Sequence, residues 1–235
     1  MLPFNLIQIR EVISLSILIK VFIRNQSFRF APSFKRVMQK FALFIFPIII
    51  FLISCEDQDV TLGDRLFEQG QYEEAIKAYS NYLQLQPTHV KTIYNRGRAY
   101  EELGQYSNAL KDFNKVLEVD GRNVAAFLSI GNHYYRLEQH ESAAYNFEKG
   151  VEYNDSNAEA HYLYGKALHQ LGRFSEAMQQ YNLALNLNTD LGDAYLHRGV
   201  LYVAMNRTRS ACSDFRRANS LNIPDAQGAI KTYCN

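Results

Sequence analysis

The chain has 235 residues and a formal net charge of +1 at pH 7. The charge is unevenly distributed, because residues 1–54 hold seven Lys or Arg and one Glu, a net +6, whereas residues 55–235 hold 18 basic and 23 acidic residues, a net −5. The larger part of the chain is therefore mildly acidic, which argues against nucleic acid as its natural partner.

Residues 1–37 differ from the rest of the chain, since they are rich in Ile, Leu and Phe but carry scattered charges. The apolar run from Leu2 to Ile23 is a poor membrane span because a glutamine and three charged residues interrupt it. These residues are Gln8, Arg10, Glu11 and Lys20. We expect Met38 to be the true start and residues 1–37 to be a gene-model extension; the alternative is a genuine, disordered N-terminal segment.

Residues 38–54 are typical of an export signal. Lys40 supplies positive charge before a 13-residue apolar run, Phe41 to Ile53. Such a run is too short for a comfortable bilayer-spanning helix but suits the core of a signal peptide. It leads into Leu-Ile-Ser-Cys at residues 52–55, in which a small residue directly precedes a cysteine.

This ending resembles the lipobox of bacterial lipoproteins. The resemblance implies lipid transfer to the thiol of Cys55, cleavage after Ser54 and acylation of the new amino terminus, so that two or three acyl chains anchor the protein stably. The alternatives are a plain secretory signal with a chance cysteine, or an uncleaved anchor. The acidic residues 56–59 also resemble surface-export signals of some Gram-negative groups, although negative charge equally suits the N-terminus of a first helix.

From residue 56 onward a 34-residue pattern recurs through five units, in which a glycine, an alanine and an aromatic residue each return at the same period. The glycines are Gly63, Gly97, Gly131, Gly165 and Gly199, the alanines are Ala75, Ala109, Ala143, Ala177 and Ala211, and the aromatic residues are Tyr79, Phe113, Phe147, Tyr181 and Phe215. A fixed period of this length indicates stacked repeats, which bury their faces on one another and share no single central core.

The second unit shows that each repeat holds two helical patterns. Ile93, Gly97 and Tyr100 fall on one helical face, with Arg96 as a polar exception. A second amphipathic stretch follows, and Gly104 between the two suits a tight helix-to-helix turn. The small residues let the two helices approach closely, and the large aromatic residues fill the space beside them.

The pattern resembles the tetratricopeptide repeat, which has a small residue, a Gly-x-Tyr turn, an alanine and an aromatic residue at these spacings. Two units depart from it, because Glu138 and His140, and Asn206 and Thr208, replace the turn pair. The resemblance implies an all-α fold, a right-handed superhelical solenoid of about five helix pairs. The repeats are predicted at residues 56–89, 90–123, 124–157, 158–191 and 192–225, with a capping helix at 226–235 that follows Asp225 as N-cap. The alternative is an ordinary helical bundle with coincidental spacing.

In tetratricopeptide arrays the first helix of each pair lines a concave groove, and the resemblance implies a partner site there. The predicted groove residues are Phe67, Tyr94, Arg98, Asn132, Tyr135, Arg136, Tyr162, Lys166 and His169. Aromatic residues interleaved with Arg and Lys suit an extended or helical peptide with an acidic group. The alternative is that these are solvated or packing residues. A carboxylate clamp is not expected, because Asn95 fits one clamp position but Asp64 and Ser129 do not fit theirs.

No catalytic, metal or cofactor site is predicted. The six histidines show neither HExxH nor a Cys/His metal spacing, and the glycines recur at the period of the repeat. His161 and His169 lie eight residues apart on one predicted helix and are a conceivable zinc pair, but packing roles explain them better.

Two cysteines, Cys212 and Cys234, remain if Cys55 is lipidated. An even number in an exported chain favours a disulfide between them. The alternative is two free, buried thiols.

These features together predict a non-catalytic scaffold that lipid anchors to the bacterial cell envelope, on the outer-membrane, periplasmic or surface side. Its partner is expected to be a protein or peptide held in the groove, with membrane contact through the lipid and with neither nucleic acid nor a small-molecule substrate involved. The alternatives are a structural accessory subunit of an envelope assembly, uptake or secretion complex and, more remotely, an enzyme.

Overall fold

The computed structural model describes residues 58–234, with side chains from residue 62 onward. The predicted extension, the predicted export signal and Cys55 lie outside the described residues. Within residues 58–234, none of the helices combines the length and apolar character that crossing a membrane requires.

The described part is built from eleven helices and contains no strand, which confirms the prediction of an all-α fold. Each helix packs on the next along the chain, so that five pairs stack in sequence. The pairs are α1 (Gln58–Glu68) with α2 (Tyr72–Leu85), α3 (Val90–Glu102) with α4 (Tyr106–Val119), α5 (Val124–Arg136) with α6 (His140–Tyr153), α7 (Ala158–Gln170) with α8 (Phe174–Leu187), and α9 (Gly192–Ala204) with α10 (Thr208–Ser220). A short helix, α11 (Ala226–Tyr233), packs on α10.

The turn inside each pair uses one residue in the left-handed region. Gly70, Gly104 and Gly172 take φ values of +74°, +69° and +73°, where glycine has no steric penalty. Glu138 and Asn206 adopt the same conformation with φ of 57°. The two units that lack the expected glycine therefore keep the same turn, because packing of the flanking helices outweighs a local cost of about 1 kcal/mol.

The first helix of three pairs begins with a side-chain cap. The Oδ1 atoms of Asn123 and Asn157 accept hydrogen bonds from the backbone N–H groups of Ala126 and Ala160, at 3.1 and 3.0 Å. His89 makes the equivalent contact through Nδ1 at 3.4 Å. These caps satisfy backbone donors that a helix leaves unpaired at its start, so they fix where these three pairs begin.

The recurring glycine and aromatic residue form one contact within each pair. Phe147 is fully buried, and a Cβ atom added at Gly131 would lie 2.5 Å from Cε1 of its ring. The same contact joins Gly97 to Phe113 and Gly199 to Phe215. It also joins Gly63 to Tyr79 and Gly165 to Tyr181. The glycine and the aromatic residue therefore recur every 34 residues because in each pair the ring packs directly on the backbone of the facing helix.

The polar exception Arg96 has a partner on the second helix of its own pair. Its Nε and Nη2 atoms donate to the two carboxylate oxygens of Asp112, at 2.8 and 2.7 Å. Arg198 and Asp214 form the same two-pronged pair at 2.8 and 2.9 Å, in the fifth repeat. Both carboxylates are buried, and a paired charge is tolerated there because both of its oxygens are bonded.

Helix α11 covers the end of the stack. Ala226 is fully buried, and the Tyr233 ring lies 6.0 Å from that of Phe215. Asp225 occupies the N-cap position, as predicted, but its side chain makes no capping hydrogen bond. Cys212 on α10 and Cys234 after α11 are paired as a disulfide, with Cα atoms 5.6 Å apart.

Candidate functional site

The first helices of successive pairs approach one another more closely than the second helices do. Among the described helices, α1 contacts α3, α5 contacts α7 and α7 contacts α9, while no two second helices make contacts of similar extent. A stacked array curves toward the side on which its helices are closer. We call the surface of α1, α3, α5, α7 and α9 the inner face.

A cavity of about 280 Å³ lies at the N-terminal end of the inner face, and we call it the first subsite. It brings together two predicted groove residues, because the guanidinium carbon of Arg98 lies 5.0 Å from the ring centroid of Phe67. Asp64, Glu68, Tyr79 and Asn95 complete its wall. Arg98 forms no ion pair among the described residues, and its guanidinium lies against the ring of Phe67.

The carboxylate of Asp64 is fully used within the protein. It accepts hydrogen bonds from the hydroxyl of Tyr79 at 2.9 Å, from Nδ2 of Asn95 at 2.8 Å and from Nζ of Lys91 at 2.8 Å. Burial alone would raise the pKa of Asp64, but these bonds outweigh it and hold the pKa below its usual value. Asn95, the residue that fits a clamp position, is therefore engaged by Asp64.

Two predicted groove residues in the middle of the inner face make contacts that join neighbouring pairs. The hydroxyl of Tyr94 lies 3.2 Å from Oγ of Ser129 on the next first helix. Arg136 donates from Nη2 to Glu101 at 2.9 Å and stacks over Tyr106, with its guanidinium carbon 4.4 Å from the ring centroid. The alternative that predicted groove residues serve packing therefore explains Tyr94 and Arg136.

The second subsite lies between α5, α7 and α9. We define it by five residues, Tyr135, Tyr162, Lys166, His169 and His197. The Nζ atom of Lys166 lies 4.4 Å from the ring centroid of Tyr135. The Tyr162 hydroxyl is 3.4 Å from Nδ1 of His197, and their rings are 5.5 Å apart. The structure thus gathers four predicted groove residues with one that was not predicted.

Burial sets the charge state of the second subsite. It lowers the pKa values of His169 and His197, so both imidazoles are neutral at pH 7. Burial also lowers the pKa of Lys166, and the charge of Asp193 partly offsets this effect. Lys166 forms no ion pair among the described residues, so the subsite presents one half-buried ammonium in an aromatic frame, with the charge of Asp193 nearby.

The hydroxyl of Tyr181 adds an unused polar atom beside the second subsite. The Tyr181 ring is fully buried and lies 6.4 Å from Tyr162 and 6.5 Å from both His169 and His197. Its hydroxyl has no hydrogen-bond partner within residues 62–234, and burial raises its pKa. An unpaired buried hydroxyl of this kind costs free energy and is unusual in native proteins.

The remaining predicted residues stand apart from the two subsites. Asn132 lies half-buried on α5, and its side chain makes no hydrogen bond within the described part of the chain. His161 is buried and uses both ring nitrogens, at 2.7 Å from Oε1 of Gln180 and 2.8 Å from the carbonyl oxygen of Asp155. That leaves no nitrogen for a zinc ion, and residues 62–234 hold no cluster of three suitable metal ligands.

His197 and Tyr181 were missed by the sequence prediction, which assigned the groove by fixed positions within each unit. A different signal would have found His197. Tyr162 and His197 are 35 residues apart, as are Tyr94 and Ser129, and Glu101 and Arg136. A spacing one residue longer than the repeat therefore marks side chains that meet across neighbouring first helices.

This architecture defines a class of protein, the helical-repeat solenoids that present a ladder of side chains to a partner. Three sequence models of the tetratricopeptide repeat match the chain, at residues 62–128, 128–192 and 192–222. The chain belongs to the tetratricopeptide repeat family. No curated protein sequence matches it.

Solved structures of the same fold confirm the solenoid. MamA 41-end from Desulfovibrio magneticus is 22% identical, with a TM-score of 0.63 over 71% of this chain and 94% of that one. YrrB, described as a TPR protein with an unusual peptide-binding site, is 24% identical, with a TM-score of 0.60 over 74% and 89%. A thermophilic TPR protein of Thermus thermophilus is 20% identical, with a TM-score of 0.59 over 77% and 97%. At these identities the likeness shows the fold alone.

Proposed function

We propose that the protein is a lipid-anchored scaffold of the bacterial cell envelope that holds an acidic peptide segment of a partner on its inner face. Lys166 carries the proposal, because its half-buried ammonium faces the Tyr135 ring and has no carboxylate partner among the described residues. A cation that has already lost part of its hydration gains more from a bound carboxylate than an exposed cation does. Tyr135 and Tyr162 offer flat apolar area beside it for the rest of the segment.

The first subsite holds a second cation–aromatic pair at the other end of the inner face, beside the carboxylates of Asp64 and Glu68. Arg98 lies over Phe67 and is also without a carboxylate partner in residues 62–234. Arg136 differs, since Glu101 already neutralises it. The inner face therefore presents two cation–aromatic pairs whose cation forms no ion pair among the described residues, one at each subsite, which suits an extended segment better than a compact ligand.

Random decapeptides on an array, probed with the full chain in detergent, test the acidic-segment proposal. We expect the bound peptides to be enriched in Asp and Glu beside apolar residues. Lys166→Gln is expected to weaken the acidic set at least tenfold, because it removes the charge and keeps much of the side-chain volume. Lys115→Gln is the matched control, since Lys115 is exposed on α4 and its pair with Glu118 is worth little.

Either of two results would overturn the acidic-segment proposal. Bound peptides without acidic enrichment would show that the ammonium of Lys166 selects nothing. Equal binding by Lys166→Gln and Lys115→Gln would place the recognition elsewhere and would favour the alternative of a structural accessory subunit.

The lipid anchor rests on the 13-residue apolar run and on the sequence at residues 52–55, which resembles a lipobox. We expect mass spectrometry of the protein purified from its own membranes to give a diacylated or triacylated N-terminal Cys55. The same spectrum without reduction should be lighter by two hydrogens than after reduction, from the Cys212–Cys234 disulfide. An unmodified N-terminus at Met1 or Met38 would contradict the anchor, and two free thiols would contradict the disulfide.

A further inference from the structure

A second concave surface lies on the opposite side of the third repeat from the inner face. A cavity of about 530 Å³ opens between α4 and α6, the second helices of the second and third pairs. Ile130 of α5 lies at its floor and is buried, and Tyr145 of α6 lies at its rim with 58% of its surface exposed. We call this cavity the outer groove.

Other repeats fill the equivalent position with their own side chain. Arg198, the seventh residue of the fifth repeat, bridges two second helices, because its Nη1 donates to Oδ1 of Asn182 at 2.8 Å while its Nε and Nη2 hold Asp214. Arg96 does the same in the second repeat, between Ser80 and Asp112. In both repeats a guanidinium therefore spans the gap between neighbouring second helices.

In the fourth repeat a tyrosine reaches across the same gap to the preceding second helix. Tyr164 is the seventh residue there, and its hydroxyl donates to Oε1 of Glu148 on the preceding second helix at 3.1 Å. Burial and that carboxylate raise the pKa of Tyr164 to about 12, so the hydroxyl stays protonated as a donor. Three of the repeats therefore close the same gap with a donor from their own first helix.

The third repeat has no such bridge. Its seventh residue is Ile130, which carries no donor. Asn114 occupies the repeat position of Asn182, and its amide nitrogen donates to the Leu110 carbonyl at 2.9 Å. Its carbonyl oxygen, the atom that in Asn182 accepts from Arg198, receives no hydrogen bond within residues 62–234.

The aromatic frame that surrounds the guanidinium in the fifth repeat is nevertheless present. The guanidinium carbon of Arg198 lies 5.5 Å from the ring centroid of Tyr195 and 5.8 Å from that of Tyr202. The residues at the same repeat positions in the third repeat are Phe127 and Tyr134, and both line the outer groove. The frame favours a cation through its ring faces.

The charge of the outer groove also favours a cation, because Glu141 lines the groove and no basic residue does. We propose that the outer groove binds an arginine side chain of a partner protein over Phe127 and Tyr134, as Arg198 lies over Tyr195 and Tyr202 in its own repeat. Asn146 stands at the repeat position of Asp214, so Glu141 supplies the negative charge. The guanidinium bonds to the carbonyl oxygen of Asn114 and to Glu141, and an apolar neighbour of the arginine packs on Tyr145.

The outer groove differs from the inner face in position and in charge preference, so the two proposals stand or fall separately. The same array of random decapeptides, probed with the full chain in detergent, tests the outer groove. We expect a second set of bound peptides that is enriched in arginine beside an apolar residue. Replacement of that arginine by citrulline, which keeps the shape and removes the charge, should weaken binding at least tenfold.

Variants assign the arginine-rich set to the outer groove. Tyr145→Ala and Glu141→Gln are each expected to weaken it at least fivefold, and both positions are exposed, so the helices should stay folded. Leu85→Ala is the matched control, since Leu85 is 74% exposed on α2 and distant in sequence from the groove. Lys166→Gln should leave the arginine-rich set unchanged.

Three outcomes would overturn the inference. These are an array without arginine enrichment, equal binding of the citrulline peptides, and an arginine-rich set that survives Tyr145→Ala but is lost with Lys166→Gln. The last outcome would assign the peptides to the inner face.

Discussion

Replacement of Asp214 by alanine is expected to lower the free energy of unfolding by about 3 kcal/mol. The carboxylate holds Arg198 through two hydrogen bonds at 2.8 and 2.9 Å, and the exposed fractions of the two side chains are 17% for Arg198 and 7% for Asp214. Removal of Asp214 leaves the guanidinium with little water and without its counter-charge. A largely buried unpaired cation costs more than the pair itself contributes.

Urea unfolding of the full chain in detergent, followed by helical circular dichroism, measures this loss. Glu118→Ala is the control, because Glu118 pairs with Lys115 at the surface and that pair is worth less than about 0.5 kcal/mol. Asp214→Asn should fall between the two, since the amide keeps one acceptor for Arg198. A loss below about 1 kcal/mol for Asp214→Ala would show that Arg198 finds water or another partner.

The contact between Gly131 and Phe147 is expected to give strongly non-additive effects. Phe147→Ala should cost about 4 kcal/mol, because the ring is fully buried and its removal leaves a cavity. Gly131→Ala should cost about 2 kcal/mol, because the new methyl group lies 2.5 Å from the ring. In the double variant the methyl group enters space that the ring has left, so the double variant should lose at least 1 kcal/mol less than the sum.

Gly228→Ala is the matched control for the added methyl group. A Cβ atom at Gly228 meets nothing within 4 Å, so this change should stabilise the chain by about 0.5 to 1 kcal/mol through helix propensity. Additive losses for Gly131→Ala and Phe147→Ala would contradict the account of the repeat, since they would mean that the two residues do not share one space.

The repeat architecture could be predicted from the sequence because its determinants recur. Gly131 and Phe147 are separated by 16 residues, and the equivalent pair returns every 34 residues, so the same contact recurs in all five repeats. The turns were predicted less well. Glu138 and Asn206 take the glycine conformation without being glycine, because the helices on either side fix the turn after they pack.

The candidate site could be predicted only in part, because its side chains meet across helices from different repeats. Lys166 and Tyr135 were predicted as groove residues, but their contact depends on the stacking of α5 and α7. Arg136 was predicted for the same groove, yet Glu101 on α3 neutralises it. The sequence identified Arg96 as an exception but not its partner Asp112, since pairing across two helices leaves no local signal.

Photo-crosslinking in living cells tests most directly whether the inner face holds a partner. A photoreactive phenylalanine analogue is placed at Tyr135, beside Lys166, in the full chain, and at exposed Lys77 on α2 as the control. The account predicts a discrete crosslinked partner from position 135 that is absent from position 77 and is lost when Lys166→Gln is added. Adducts that are the same at both positions, or that persist with Lys166→Gln, would contradict a partner held by the second subsite.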